Sequence, residues 1–268
     1  MASRTRDWDA RTYHRVSAPH QEWAEELLER LALRGDETVL DAGCGSGRVT
    51  LKLLQRLPRG HVIAVDGAPS MVAEARKLLG ERATVIQSDL VDFTLDEPVD
   101  AIFSSAVFHW IADHDALFAR LFAALEPGGR LVAQCGGEGN IAQFRGHADA
   151  VAEREPYAGH LAGWRGPWNY ASAEETADRL ERAGFTDVST WLQPWDASPP
   201  EAETFVRTVC LHPHMERLPT QLHDAYVADV LAAAGQPLVL DYVRLNIEAR
   251  RPGDGEVRRG RHEGAREP

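Results

Sequence analysis

Val39-Leu40-Asp41-Ala42-Gly43-Cys44-Gly45-Ser46-Gly47-Arg48 decides the fold. A short apolar run ends in three glycines at every second position. Val49 to Leu57 follows, with Val49, Leu53, Leu54 and Leu57 at helical spacing, and Pro58 and Gly60 close it. This is a buried strand, a tight turn and a helix. The same alternation continues outward. Strands are expected over 61–66, 83–89, 99–106 and 130–135, and helices over 69–79 and 113–125. Pro69 sits in the first turn of its helix, where a missing N–H costs nothing, and Glu126-Pro127-Gly128-Gly129 stops the later one. Near-continuous apolar strands alternating with helices imply a parallel sheet covered on both faces, with ligands bound beyond the carboxyl ends of the strands.

Beyond Cys135 the pattern breaks into a Gly-rich stretch carrying Phe144, Tyr157, Trp164, Trp168 and Tyr170. A helix over 172–183 is expected from Ser172 as N-cap, Glu175 as capping-box partner and Gly184 as C-cap. Residues 188–192 read as a sixth strand, 199–234 as two helical pieces around Pro213 and Pro219, and 238–249 as a last strand. Upstream, Glu22, Trp23, Glu26, Leu27 and Leu31 form an amphipathic helix. The organisation expected is one domain over 1–250, with a core at 36–136 and cap segments at 1–35, 137–171 and 195–236. The Gly- and charge-rich stretch 251–268 reads as a disordered tail.

Composition narrows the partners. The 29 basic and 41 acidic residues of the 268 give a net charge of −12, which argues against nucleic acid as substrate. Cys44, Cys135 and Cys210 lie far apart and form no CxxC pair, so neither a metal site nor a disulfide framework is indicated. No apolar run approaches the ~20 residues of a membrane span, and the first nine residues carry no signal-peptide core. The expectation is a soluble, cytoplasmic protein with no membrane partner.

The glycines let backbone approach a ligand closely, and the helix start behind them offers N–H groups to an anion. Spacing separates the candidate ligands. A dinucleotide fingerprint needs glycine where Arg48 stands, and the phosphate loop needs a lysine that is absent. Asp66 ends the second strand, where a carboxylate can accept both hydroxyls of a ribose and would repel a 2′-phosphate. Asp89, after Ser88, ends the third, where a carboxylate can accept an adenine amine. Taken singly, the glycines could merely shape a turn, Asp66 could cap the next helix, and Asp89 could be a turn residue.

Together these stretches resemble the class I methyltransferases that use S-adenosylmethionine (SAM). Residues 39–47 are similar to their motif I, Val65-Asp66 to their ribose-binding acidic position, and Ser88-Asp89-Leu90 to their adenine-binding motif. Leu125 to Leu131 resembles the turn before their fifth strand. The resemblance spans roughly 36–136. It implies an α/β fold, a Rossmann-like doubly wound sheet of seven strands whose last is antiparallel, with helical cap insertions. It implies SAM as cofactor, held by Asp41, Gly43, Cys44, Gly45, Gly47, Asp66, Gly67, Met71, Ser88, Asp89, Leu90, Ser105, Ala106 and Trp110. Trp8 to Tyr13 and Ser104 to Trp110 also resemble the trans-aconitate methyltransferase (methyltransferase type 11) group and juvenile-hormone-acid methyltransferases, which esterify carboxylic acids. Ser105-Ala106 stands where those enzymes often have Asn-Ala.

The expected function is methyl transfer to a small-molecule acceptor, an oxygen nucleophile such as a carboxylate or a secondary metabolite. A carboxylate is already ionised and needs no base, whereas a hydroxyl or carbon acid does. His109 is the candidate catalytic group, as a base or a hydrogen-bond donor to substrate, or else it only orients a loop. Candidate substrate contacts are Tyr13, Arg145, Trp164, Trp168 and Tyr170, against packing and solvation as their plainer roles. Two rivals remain: an NAD-dependent oxidoreductase, disfavoured by the early third glycine, and a SAM-binding sensor or partner subunit without catalysis.

Overall fold

The structure, a computed structural model, describes residues 18–255. Helix α1 (Ala18–Leu31) precedes an alternating series: β1 (Thr38–Ala42), α2 (Arg48–Arg56), β2 (His61–Asp66), α3 (Pro69–Leu79), β3 (Thr84–Gln87) and β4 (Val99–Ser105). Next come α4 (His114–Ala124), β5 (Leu125–Gly136), α5 (Ala142–Ala152), α6 (Ala173–Ala183), β6 (Thr186–Ala197), α7 (His223–Ala234) and β7 (Leu240–Arg250). The seven strands form one sheet in the order β3-β2-β1-β4-β5-β7-β6. β1 to β5 pair in parallel, and β7 runs antiparallel between β5 and β6. This is the expected doubly wound α/β sheet.

The sheet has two unlike faces. Leu40, Ile102, Leu131, Ala133, Leu245 and Ile247 point into an apolar cluster completed by Leu117, Phe118 and Leu121 of α4 and Leu180 of α6. The opposite face is apolar under α1, α2 and α3, where Leu27, Leu28, Leu31, Leu53 and Leu79 join Val39, Val62, Phe103 and Val132. Toward β7 and β6 that face turns polar, with Gln134, Arg244 and Asn246 all buried. Arg130 fixes α1 there, donating to the Leu31 carbonyl at 2.7 Å and to Glu37 at 2.8 Å. A third apolar cluster joins Phe144, Val151 and Tyr157 to Phe205, Leu211, Tyr226 and Val230, so two distant stretches of chain share one cap.

Several elements depart from the sequence reading. α5 was not foreseen, because its buried stripe of Phe144, Ala148, Val151 and Ala152 is mostly small and is interrupted by Gly146. β6 extends to Ala197 and passes through Pro194; as the outermost strand it needs no N–H from that residue. Residues 199–234 form more than two pieces: helical turns at Ala202–Phe205 and His212–Met215 flank a π-helical turn at Val206–Cys210, ahead of α7. Pro213 lies in the first turn of a helix rather than breaking one. Glu126 to Gly129 loops out within β5, so that Val99 pairs with Leu125 and Ala101 with Arg130. Arg251, expected in the tail, is structured: its N–H donates to the Gly129 carbonyl, and its guanidinium binds the Leu125 carbonyl and covers Phe122. Residues 256–268, Trp8 and Tyr13 lie outside the described residues. Among the described residues, no helix is long and apolar enough to cross a membrane.

Candidate active site

A cavity of about 700 Å³ opens beyond the carboxyl ends of the strands, from Asp89 after β3 to Arg244 on β7. Gly43, Gly45 and Gly47 all have positive φ (86°, 54° and 84°), which explains the alternate-glycine spacing. They serve different ends. A Cβ on Gly43 would collide with Val107, one on Gly47 would press on Leu79, and one on Gly45 would meet nothing. Gly45 is therefore where the backbone stands open to a ligand.

Asp66, at the tip of β2, braces the loop by accepting from the N–H groups of Gly45 and Ala68, both at 2.8 Å. Its bond to Ala68 shapes the turn ahead of α3 but does not cap the helix, which has no side-chain cap, and Asp66 also lines the cavity. Asp89 accepts from the Val91 N–H at 3.2 Å and lines the cavity beside Leu90. Asp41 is buried and accepts from the Thr50 hydroxyl at 2.6 Å. Burial pushes its carboxyl up to about 7, the Thr50 bond opposing and the nearby Asp66 charge adding to the shift. The thiols are inert: burial pushes Cys135 and Cys210 up to about 12 and Cys44 well above its ordinary value.

The loop after β4 brings the second half of the site. Ala106 takes φ 62° and donates to the Gln134 carbonyl at 2.7 Å. His114 holds the Phe108 carbonyl at 2.9 Å, and Asn169 reaches the His109, Ile111 and Ala112 carbonyls. His109 Nδ1 accepts from the Gly136 N–H at 3.1 Å. An acceptor nitrogen is unprotonated, so the proton of the neutral ring is on Nε2. Trp110 and Tyr170 flank His109, with centroids 5.0 and 5.7 Å away, and Trp168 stacks on Tyr170 at 6.1 Å. Gly136 permits this crowding, since a Cβ there would meet Tyr170 at 2.7 Å and Asn140 at 2.8 Å.

Of the expected cofactor residues, Asp41, Gly43, Cys44, Gly45, Asp66, Gly67, Met71, Asp89, Leu90, Ser105, Ala106 and Trp110 all line the cavity. Gly47 and Ser88 do not: Gly47 starts α2, and the Ser88 hydroxyl turns to the Asp89 carbonyl. Of the acceptor candidates, Trp168 and Tyr170 line it with His109. Arg145 lies over the rings of Trp168 and Tyr170, 5.3 Å from each, and bonds the Arg165 carbonyl. Trp164 packs against His214 and Trp168. Both belong to the wall of the aromatic cluster. Sequence reasoning missed Asn140, Gln134, Cys210, Tyr242 and Arg244, which also line the cavity. Gln134 comes from β5 and the others from the cap segments and β7, where no motif marks them.

Residues 39–129 match the methyltransferase domain family. A trans-aconitate 2-methyltransferase of Acidovorax sp. (strain JS42) is 33% identical over 229 residues, covering 82% of this chain and 86% of the relative. The chain belongs to the SAM-dependent methyltransferases. The YcgJ protein of Bacillus subtilis shares the fold of this methyltransferase with a TM-score of 0.59 at 16% identity, covering 87% of this chain and 99% of that one. So does a Haemonchus contortus phosphoethanolamine N-methyltransferase 2 in complex with S-adenosylhomocysteine (TM-score 0.57, 18% identity, 86% of this chain and 52% of that one). SAM is the cofactor, and the lining fits it. Asp66 and Asp89 offer carboxylate oxygens that suit the hydroxyl and amine donors of an adenosine, and Gly45 leaves the backbone open beside Asp66.

Proposed function

We propose that this methyltransferase esterifies a carboxylate of a small polycarboxylic acid of the trans-aconitate type. SAM supplies an electrophilic methyl group on a sulfonium. The chain's own groups position, shield and hydrogen-bond. In this reading Asp66 takes the ribose hydroxyls, Asp89 the adenine amine, and the Gly43–Gly47 turn the methionine end, with Gly67, Met71, Leu90, Ser105, Ala106 and Trp110 enclosing the adenosine.

The observation that carries the acceptor assignment is the bond from the Gly136 N–H to His109 Nδ1. It leaves Nε2–H as a donor and gives the ring no second basic nitrogen. A hydroxyl or carbon acid needs a proton removed, and this imidazole is poorly disposed to remove it. A carboxylate needs only a donor to hold one oxygen while the other attacks. Trp110, Trp168 and Tyr170 keep water from the reacting atoms, and their rigid stack favours a small planar acid. The relative's activity on trans-aconitate supports the same class.

The test is product identification with labelled SAM and a panel of carboxylic acids, alcohols, amines and carbon acids. Label is expected in a base-labile ester of a di- or tricarboxylic acid. Turnover confined to alcohols, amines or carbon acids would refute the assignment.

A further inference from the structure

Arg244 is the largest fully buried side chain of the described residues, only 2% exposed, and it stands at the far end of the cavity. Its guanidinium is held between two indoles, 5.2 Å from the Trp23 centroid and 4.8 Å from that of Trp195. One edge has partners: Nη1 is 3.3 Å from Gln134 Oε1 and 3.5 Å from Glu26 Oε2. The other edge, Nε and Nη2, has no hydrogen-bond partner. A buried guanidinium with an unpaired edge is costly to keep, and that edge has the spacing that binds a carboxylate bidentately. Arg48 and Arg244 are the arginines on the cavity wall among the described residues, and Arg48 belongs to the glycine-loop end.

Resting on the carboxylate-ester reading above, we propose that Arg244 binds a second carboxylate of the acceptor, remote from the one methylated, and so selects polycarboxylic acids over monoacids. Register supports the distance. Ser105 of β4 pairs with Gln134 of β5, and Arg244 of β7 pairs with Gly136 of β5. Two strand spacings, about 10 Å, therefore separate the strand that carries His109 at its end from the one that carries Arg244. A long guanidinium arm and the span of a five- or six-carbon acid bridge that gap. A monoacid held at His109 does not. The free edge is closed to water, so the acid reaches it when the Trp23 and Glu26 side chains of α1 move aside. Glu26, 46% exposed at its side chain, is the placeholder anion that the incoming carboxylate relieves.

The experiment compares kcat/KM for a tricarboxylic acceptor with that for its analogue bearing a carboxamide in place of the remote carboxylate. The wild type is expected to prefer the acid by about 10- to 100-fold. In R244Q the two acceptors should converge to within about threefold, through KM rather than kcat, with SAM binding unchanged. R244K, which keeps the charge and fills similar volume, should retain part of the preference and serves if R244Q does not fold. A wild type that esterifies both acceptors equally overturns the Arg244 proposal alone, as does an undiminished preference in folded R244Q or R244K. A wild type that esterifies no carboxylic acid overturns the ester reading and this proposal with it.

Discussion

Gly43→Ala tests the glycine turn most directly. At φ 86° a side chain is strained, which costs about 1–2 kcal/mol for a non-glycine residue. The new Cβ would also lie 2.5 Å from Val107 Cγ1 and 2.8 Å from Val107 Cβ, with Cγ2 closer still. Such overpacking typically adds about 1–3 kcal/mol. The total, about 2–5 kcal/mol, is a large share of the ~5–15 kcal/mol that holds a domain folded. Urea denaturation should show this loss, and calorimetry should show weakened SAM binding, because Val107 begins the loop that carries His109. V107A removes both γ carbons but keeps the 2.8 Å clash, so the double variant should recover the steric part incompletely and the backbone part not at all. A G43A protein as stable as the wild type would refute the reasoning, as would full rescue by V107A.

Asp66→Asn keeps the shape but removes the charge from an acceptor of two N–H bonds; SAM affinity, read by calorimetry, should fall by about 10- to 100-fold. His109→Ala should lower kcat/KM for a carboxylic acid by about the same factor with SAM affinity intact, and unchanged turnover would remove His109 from the acceptor site. Asp41 has its carboxyl pushed up from 3.8 to about 7 in the fold, so the folded state holds the proton more tightly than the unfolded one. Its contribution to stability is full below about pH 4 and is lost as pH rises through 7; the wild type should therefore lose stability against Asp41→Asn between pH 4 and 7, and parallel pH profiles would contradict this. His214, buried against Trp164 and Tyr226 and pushed down to about 4, has the opposite sign: stability is full above pH 6.5 and falls toward pH 4, which tryptophan fluorescence of the cap should follow.

The glycine-loop half of the cavity was legible because its geometry is local. Gly43, Gly45, Gly47, Asp66 and Asp89 each stand at the end of a predictable strand, and backbone geometry dictates their types. Gly47 shows the limit: the motif needs it for a positive φ, yet it lines no cavity. The half lined by the cap and β7 was not legible. Arg145 looked like an anion-binding arginine by its neighbourhood, but the cap turns it over Trp168 and Tyr170. Arg244 sits in an alternating strand that reads as partly exposed, and only pairing with β5 and β6 under α1 buries it. His109 is marked in the sequence by its place after β4 and lines the cavity, but its tautomer depends on the Gly136 N–H, 27 residues away along the chain.

The position of β7 between β5 and β6 has a consequence for how the molecule comes together. β6 pairs only with β7, yet residues 198–239 separate the two strands along the chain. During synthesis the first five strands can assemble as each emerges, while β6 waits without a ladder until β7 slots in beside β5. Arg244 arrives with that closing strand. The glycine-loop end of the cleft can thus form early from near neighbours, and the end lined by Arg244 is the last part to be built.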